Sequence, residues 1–263
     1  MNKMKNNYLK AMTLAILAIA FTSCATMKIN YYGKKVDKVQ NVALFSTMIG
    51  KIKQPLFPLI DAAAFNEKTN SIADQIMDLQ KKNIDKCQEI VALSLKRNFS
   101  CKVLYADSLH ALAEFAELKE KFDFKSSLRI ENDHYPFIIT AKDDVNPLSF
   151  EQGNGIKYFN SSTNYKAMIS ELGKRINTDL IAISYSNLTV TGAGMFGIYG
   201  YLRLDTYLYL FDKDGDLISD AHTWSKPTSI SGKQIDEYKA QLDNLSIIIE
   251  PMMNKVIINY QNK

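Results

Sequence analysis

Gly192-Ala193-Gly194-Met195-Phe196-Gly197 spells GxGxxG, the spacing that lets backbone N–H groups approach a pyrophosphate. That chemistry needs a helix to follow, so that its N-terminus meets the phosphates. The next residues, YLRLDTYLYLF, alternate with period two, so a strand is expected and no cofactor. The segment reads instead as a glycine-rich hairpin loop. It carries Met195, Phe196, Ile198 and Tyr199, apolar groups suited, when exposed, to touching a partner or a bilayer. Asp212-Lys213-Asp214-Gly215-Asp216 hints at calcium. A calcium loop of the EF-hand type wants glycine sixth and glutamate twelfth; here glycine is fourth and Thr223 is twelfth, so a turn is expected. His110 and Glu114 stand four apart, a spacing that can hold a metal on one helix face. No third ligand accompanies them, and a surface pair is expected. His134 and His222 stand alone in the sequence. No serine, threonine or cysteine lies in a nucleophile motif such as GxSxG. Trp224, the one tryptophan, sits near a strand end, where it can stack on a sugar or fill the core. No catalytic, cofactor-binding or metal-ligating residue is assigned, and no enzyme is expected.

Two cysteines, Cys87 and Cys101, lie in the body of the chain. Cys87 falls in an expected helix ending near Asn98, about 16 Å along the axis. Three residues of returning chain recover only about 10 Å, whereas a disulfide needs Cα atoms within about 7 Å. The bridge is barely reachable, and buried thiols are the expectation.

The elements that position these residues follow from periodicity. NVALFSTMIG is a short apolar run closed by glycine, a buried strand. Lys51 to Asn70, with Pro55 and Pro58, reads as a loop. From Ser71 the period becomes helical: Ile72, Ile76, Leu79, Cys87, Ile90, Val91 and Leu95 form one apolar stripe, with Ser71 as a cap. CKVLYAD is a second strand. Asp107 or Ser108 caps a shorter helix through Lys121. Residues 123–160, punctuated by Pro136, Pro147, Gly153 and Gly155, form an irregular excursion with one short strand at Phe137 to Thr140. A helix capped by Ser161 to Thr163 runs to Ile176. TDLIAISYSNLTV and YLRLDTYLYLF are strands. The second puts Leu202, Leu204, Thr206, Leu208 and Leu210 on one face. Tyr201, Arg203, Asp205, Tyr207, Tyr209 and Phe211 take the other. Asp214-Gly215 signals a hairpin into DLISDAHTW. A long helix from Lys233 to Tyr260 closes the chain, interrupted or kinked at Pro251. This order implies one α/β domain, a mixed β-sheet of about five strands covered by helices.

The first residues give an address. MNKMKNNYLK carries three lysines and no acid, and AMTLAILAIAF follows. A basic start, a short apolar run and small residues before a cut are the layout of a secretory signal. The run is too short to span a bilayer as a helix, which needs roughly 20 residues. Phe21-Thr22-Ser23-Cys24 resembles the lipobox of bacterial lipoproteins, with Phe21 where that family often has leucine. The resemblance implies a signal peptide over 1–23. It also implies a covalent diacylglycerol and an acyl chain such as palmitate on Cys24, and no other cofactor. Two or more chains hold a protein stably on a membrane. Ala25 rather than aspartate resembles the pattern sent to the outer membrane, and ATMKIN lacks the acidic cluster that resembles a surface-export tag. The implied location is the outer membrane, facing the periplasm, with residues 24–40 as a lipidated tether holding a short ordered piece at Ile29 to Tyr32. Residues 41–263 are then the single domain.

The formal net charge of +4 comes largely from the leader's three lysines; 32 basic residues stand against 28 acids overall. No global basic excess supports nucleic-acid binding. With 46% hydrophobic residues, the chain can bury a sizeable core. The strand NVALFS, the long helix, CKVLYAD, INTDLIAISY and the hairpin YLYLFDKDGDLIS resemble a periplasmic lipoprotein fold. The curli secretion lipoprotein, outer-membrane activators of penicillin-binding proteins and the N-terminal domain of TolB share it. That resemblance, without a catalytic motif, implies a lipid-anchored protein that binds or regulates another envelope protein. Two alternatives stand beside it: a subunit of a curli-type secretion channel, whose membrane strands residues 200–211 match in length, and an envelope hydrolase whose site assembles only in space.

Overall fold

The structure, a computed structural model, describes residues 27–32, 36, 38–53, 66–121, 127–129, 137–140, 163–191, 201–229, 236, 240, 243 and 245–261. The leader, Cys24, His134 and the loop with Met195, Phe196, Ile198 and Tyr199 lie outside them. In chain order the elements are β1 (Met27–Tyr31), β2 (Asn41–Lys53), α1 (Asn66–Phe99), β3 (Lys102–Leu104), α2 (Asp107–His110), α3 (Ala113–Lys121), β4 (Ser127–Arg129), β5 (Phe137–Thr140), α4 (Thr163–Arg175), β6 (Leu180–Thr191), β7 (Tyr201–Asp212), β8 (Leu217–Trp224), β9 (Thr228–Ser229) and α5 (Leu245–Gln261).

One mixed sheet runs β1-β8-β7-β6-β2-β5-β4, with β3 beside β2 and β9 beside β7. β2 is parallel to β3 and β6 and antiparallel to β5. β6, β7 and β8 form an antiparallel meander. Strand alternation decides the two faces. On one, Val42, Leu44, Leu180, Ala182, Leu204, Leu208 and Leu210 pack under Ile84, Cys87, Val91 and Leu95 of α1 and under Ile249, Met253 and Tyr260 of α5. On the other, Phe45, Ile181, Ile183, Tyr209 and Phe211 pack under Leu109 of α2, Phe115 and Leu118 of α3, and Met168, Ile169 and Leu172 of α4. The expected fold class stands: a mixed sheet between helices.

The sheet has more strands than the five expected, because β1, β4 and β9 are two to five residues long and too short to declare a period. The ordered piece expected at 29–32 is β1, paired antiparallel with β8 from Met27↔Thr223 to Tyr31↔Ser219. Residues 137–140 form a strand as expected. α1 begins at Asn66, so Ser71 lies inside the helix and does not cap it. CKVLYAD contributes only Lys102–Leu104 to the sheet. The shorter helix divides at Ala111 and Leu112 into α2 and α3. Ser108 Oγ accepts from the Tyr105 N–H at 3.0 Å and donates to the Tyr105 carbonyl at 2.7 Å, which closes the turn ahead of α2. His110 and Glu114 therefore occupy different helices; the His110 ring meets Phe115 edge-on at 4.9 Å.

The β7–β8 turn is locked against α4. Asp212 Oδ1 accepts the N–H groups of Asp214 at 3.0 Å and Asp216 at 2.9 Å, so the acidic run serves the turn that its spacing predicts. Gly215 has φ +82°, and a Cβ there would overlap the Lys166 carbonyl oxygen. Across the same contact, a Cβ on Gly173 of α4 would stand 2.8 Å from Lys213 Cα. Helix and turn touch backbone to backbone, which only glycine permits.

Cys87 and Cys101 are both buried free thiols, as the reach argument anticipates. Burial pushes Cys87 up to about 12 and Cys101 up to about 11, so both stay protonated and poorly nucleophilic at neutral pH.

Candidate functional site

The helices over the second face cover the half of the sheet nearest the β7–β8 turn. Toward the other end the same face changes character, because the inward positions of β6, β7 and β8 become polar and aromatic. Register brings them together: Tyr185 opposes Tyr207 and Asn187 opposes Asp205, while Tyr207 opposes His222 and Asp205 opposes Trp224.

Asp205 is the centre of this group and is 1% exposed. His222 Nε2 lies 2.8 Å from its Oδ1 and Arg203 Nε donates to its Oδ2 at 3.1 Å. Thr189 adds a third side-chain hydrogen bond, and Thr189 Oγ1 itself accepts from Asn187 Nδ2 at 2.9 Å. Burial works to raise the Asp205 carboxyl, but the bonds from His222, Thr189 and Arg203, with the guanidinium charge, outweigh it and hold the group below its ordinary value. A buried carboxylate with this many donors stays ionised.

Aromatic rings frame the pair. Tyr207 stacks on His222 at 4.1 Å and 5°. Trp224 meets the imidazole at 5.0 Å, tilted by 46°, and Arg203 sits over the indole at 5.1 Å, a cation–π contact. Tyr185 and Tyr209 continue the ladder on either side of Tyr207. Burial, followed by the nearby Asp205 charge, pushes the Tyr207 phenol up to about 12.

A carboxylate that orients a histidine is half of a general-base triad. Here the imidazole is flanked by Tyr207 and Trp224, and among the described residues no serine, threonine or cysteine hydrogen-bonds to it. The arrangement ties β7 to β8 at this end and leaves Trp224, Arg203 and Tyr207 half-buried. His222 does not stand alone, as its isolation in the sequence suggested, and Trp224 neither fills the hydrophobic core nor stands free. Only part of the signal for this group was in the sequence. The alternation of β7 placed Arg203, Asp205 and Tyr207 on one face, but counting back from the Asp212–Asp216 turn would set His222 opposite Thr206; a register shift between Leu210 and Phe211 brings it opposite Tyr207 instead.

Beyond Thr191 and Tyr201, the last pair of the β6–β7 ladder, the loop with Met195, Phe196, Ile198 and Tyr199 lies outside the described residues. β7 follows it as an antiparallel strand, where a dinucleotide turn requires a helix. Leu204, Leu208 and Leu210, which a membrane hairpin would turn to lipid, pack under α1 and α5. Among the described residues no helix is long and apolar enough to cross a membrane.

No protein-family model matches the chain, and no curated protein matches its sequence. Among solved structures, a point variant of the PelC dodecamer from Paraburkholderia phytofirmans matches at 10% identity over 91% of this chain and 100% of that one, with a TM-score of 0.33. The LpoB C-terminal domain from Salmonella enterica matches at 9% identity over 74% and 85%, with a TM-score of 0.24. The Evf virulence factor matches at 11% identity over 87% and 83%, with a TM-score of 0.24. Scores this low mark a similarity of outline, and the fold class stands on the strands and helices themselves.

Proposed function

We propose that this chain is a lipid-anchored, non-enzymatic protein of the cell envelope, held by acylated Cys24 in the outer membrane on its periplasmic side, whose folded body binds another envelope protein. The observation that carries the reading is the junction of leader and fold. A basic and apolar leader ends in Phe21-Thr22-Ser23-Cys24, and the sheet begins at Met27. Cleavage before Cys24 would leave Cys24, Ala25 and Thr26 as a short acylated lead into β1. Partner binding draws support from apolar side chains left at the surface of the helical layer: Leu93 on α1, with Ile247 and Ile258 on α5, 68% and 50% exposed. Ile247 and Ile258 are eleven residues apart, three helical turns, and so share one face. Met195, Phe196, Ile198 and Tyr199, in the segment between β6 and β7, are a second proposed contact.

Mass spectrometry of the native product tests the anchor: the reading requires acyl chains on Cys24 and loss of residues 1–23. Pull-down from solubilised envelopes tests the partner. A specific protein is expected with the native chain, reduced with Cys24→Ala and reduced again with Ile247→Ser and Ile258→Ser together. Recovery of nothing specific from any envelope preparation would sink the partner half of the reading.

A further inference from the structure

Two polar groups beside Asp205 are left over by the network that ties β7 to β8. Asn187 is 0% exposed. Its Nδ2 donates to Thr189 Oγ1, yet its Oδ1 has no hydrogen-bond partner among the described residues. An acceptor buried without a donor costs about 1–3 kcal/mol. Arg203 is the converse case. Its Nε donates to Asp205 and its guanidinium lies over Trp224. Its two terminal nitrogens bond to no described residue, and the side chain is 26% exposed. Register sets these groups side by side. Asn187 lies between Gly50 of β2 and Asp205, Asp205 lies beside Trp224, and Arg203 opposes Thr189. Gly50 puts no side chain over the Asn187 flank.

We infer that the Asn187–Arg203–Trp224 patch binds a neutral pyranose sugar, as one unit of a glycan. The spare groups are one acceptor and two donor nitrogens, and sugar hydroxyls serve both kinds. Asn187 and Arg203 are diagonal neighbours on adjacent strands, about 7–8 Å apart. The long arginine side chain narrows that gap, so neighbouring hydroxyls of one ring reach both residues. Half-buried Trp224 offers its indole to the C–H face of the sugar, the apolar part of a site whose few polar groups fix orientation. Arg203 and Asp205 offset each other's charge, so the patch selects for hydrogen-bonding pattern rather than for an anion. Asp205 is a positioning residue: it takes Nε and leaves the two terminal nitrogens for the ligand. The inference stands whether or not Cys24 is acylated.

The test uses the full native chain in a detergent without a sugar headgroup, titrated with chitotetraose, cellotetraose and maltotetraose. Trp224 is the one tryptophan, so its emission reports on this patch. A saturable change is expected with at least one tetrasaccharide, and calorimetry gives the dissociation constant. Arg203→Lys keeps the charge and loses the planar fork; it should weaken binding about tenfold or more. Asn187→Leu removes the acceptor that lacks a donor. It should weaken binding about tenfold while holding the urea midpoint near that of native protein. A lower midpoint with binding intact would make Asn187 structural and overturn the inference. If Asn187→Leu does not fold, the part-exposed Arg203→Lys decides alone. No response to any of the three sugars, or binding undiminished in the folded variants, overturns it. So does a saturable response to acetate or inorganic phosphate with none to sugar, which would give the patch to an anion.

Discussion

The two ends of the β7–β8 hairpin are secured by opposite means. At the turn, Gly215 and Gly173 let α4 and the loop meet backbone to backbone, and the surrounding charges, such as the Lys166–Asp216 pair, lie at the surface. At the far end there is room for large rings, and the strands are held by a buried carboxylate with a histidine, an arginine and a threonine around it. The first arrangement tolerates no added atom at either glycine. The second is centred on one buried charge. Steric contact and electrostatics thus divide a single pair of strands between them.

The largest effect is expected at the turn. Gly215→Ala drives a methyl into the Lys166 carbonyl oxygen at φ +82°, and neither strain is relieved without moving α4. It should cost about 3–4 kcal/mol in urea denaturation. Gly173→Ala keeps an ordinary helical backbone but meets Lys213 backbone at 2.8 Å, so about 2 kcal/mol is expected. Equal and negligible losses at both positions would break the account of the turn.

The far end should answer to charge. Asp205→Ala leaves Arg203, His222 and Thr189 without their shared acceptor and is expected to cost about 2–3 kcal/mol. The pH dependence has a definite sign. The folded-state value of Asp205 lies below the ordinary 3.8, so its stabilisation is fully present above that value and is lost as pH falls through the folded one. Between neutral pH and about pH 3, the native protein should lose more stability than Asp205→Asn, which has no carboxylate to protonate. Parallel losses in the two proteins, measured by urea titration at each pH, would show that the buried charge is not what holds this end.

The two buried thiols tell whether the ends open together. Cys87 of α1 and Cys101 just after it lie in the core cluster on the opposite face, protonated through burial, so a maleimide at pH 8 should reach them only through opening. If the domain opens as one unit, Gly215→Ala and Asp205→Ala should accelerate labelling in proportion to their loss of stability. A variant that labels no faster than native protein despite its lower stability marks an end that frays locally.

The contrast also explains what the sequence could and could not disclose. The faces of β7 were legible because Leu202 to Leu210 and Tyr201 to Phe211 alternate without a break. The packing of α1 was legible because Cys87, Val91 and Leu95 recur on one side of a helix. Asp205 with His222 was not, since the two are seventeen residues apart and meet only once the register of the turn is fixed. The tight approach of Gly173 to Lys213 leaves no local pattern at all, because a glycine required by a neighbour looks in sequence like any other. The break between α2 and α3 was hidden for a related reason: Ala111 and Leu112 are good helix formers, and it is tertiary packing of Leu109 and Phe115 into the same cluster that turns the chain there.

The smallest expected effect tests the cover over the turn half of the sheet. Ala106, just ahead of α2, has φ 46° and ψ −132°, a conformation glycine adopts freely and alanine does not. Ala106→Gly removes strain worth about 1–3 kcal/mol and adds chain entropy to the unfolded state worth about 0.4–1 kcal/mol, so a net gain of roughly 1 kcal/mol is expected. Asn177→Gly is the internal comparison. Asn177, at φ 49°, follows α4 as its left-handed cap, with the Thr178 N–H donating to the Gly173 carbonyl at 3.1 Å. Asparagine tolerates that conformation far better than alanine tolerates its own, so its replacement should gain little. If Ala106→Gly lowers the denaturation midpoint while Asn177→Gly leaves it unchanged, the turn before α2 is held by interactions of the alanine methyl, and the strain assigned to it is wrong.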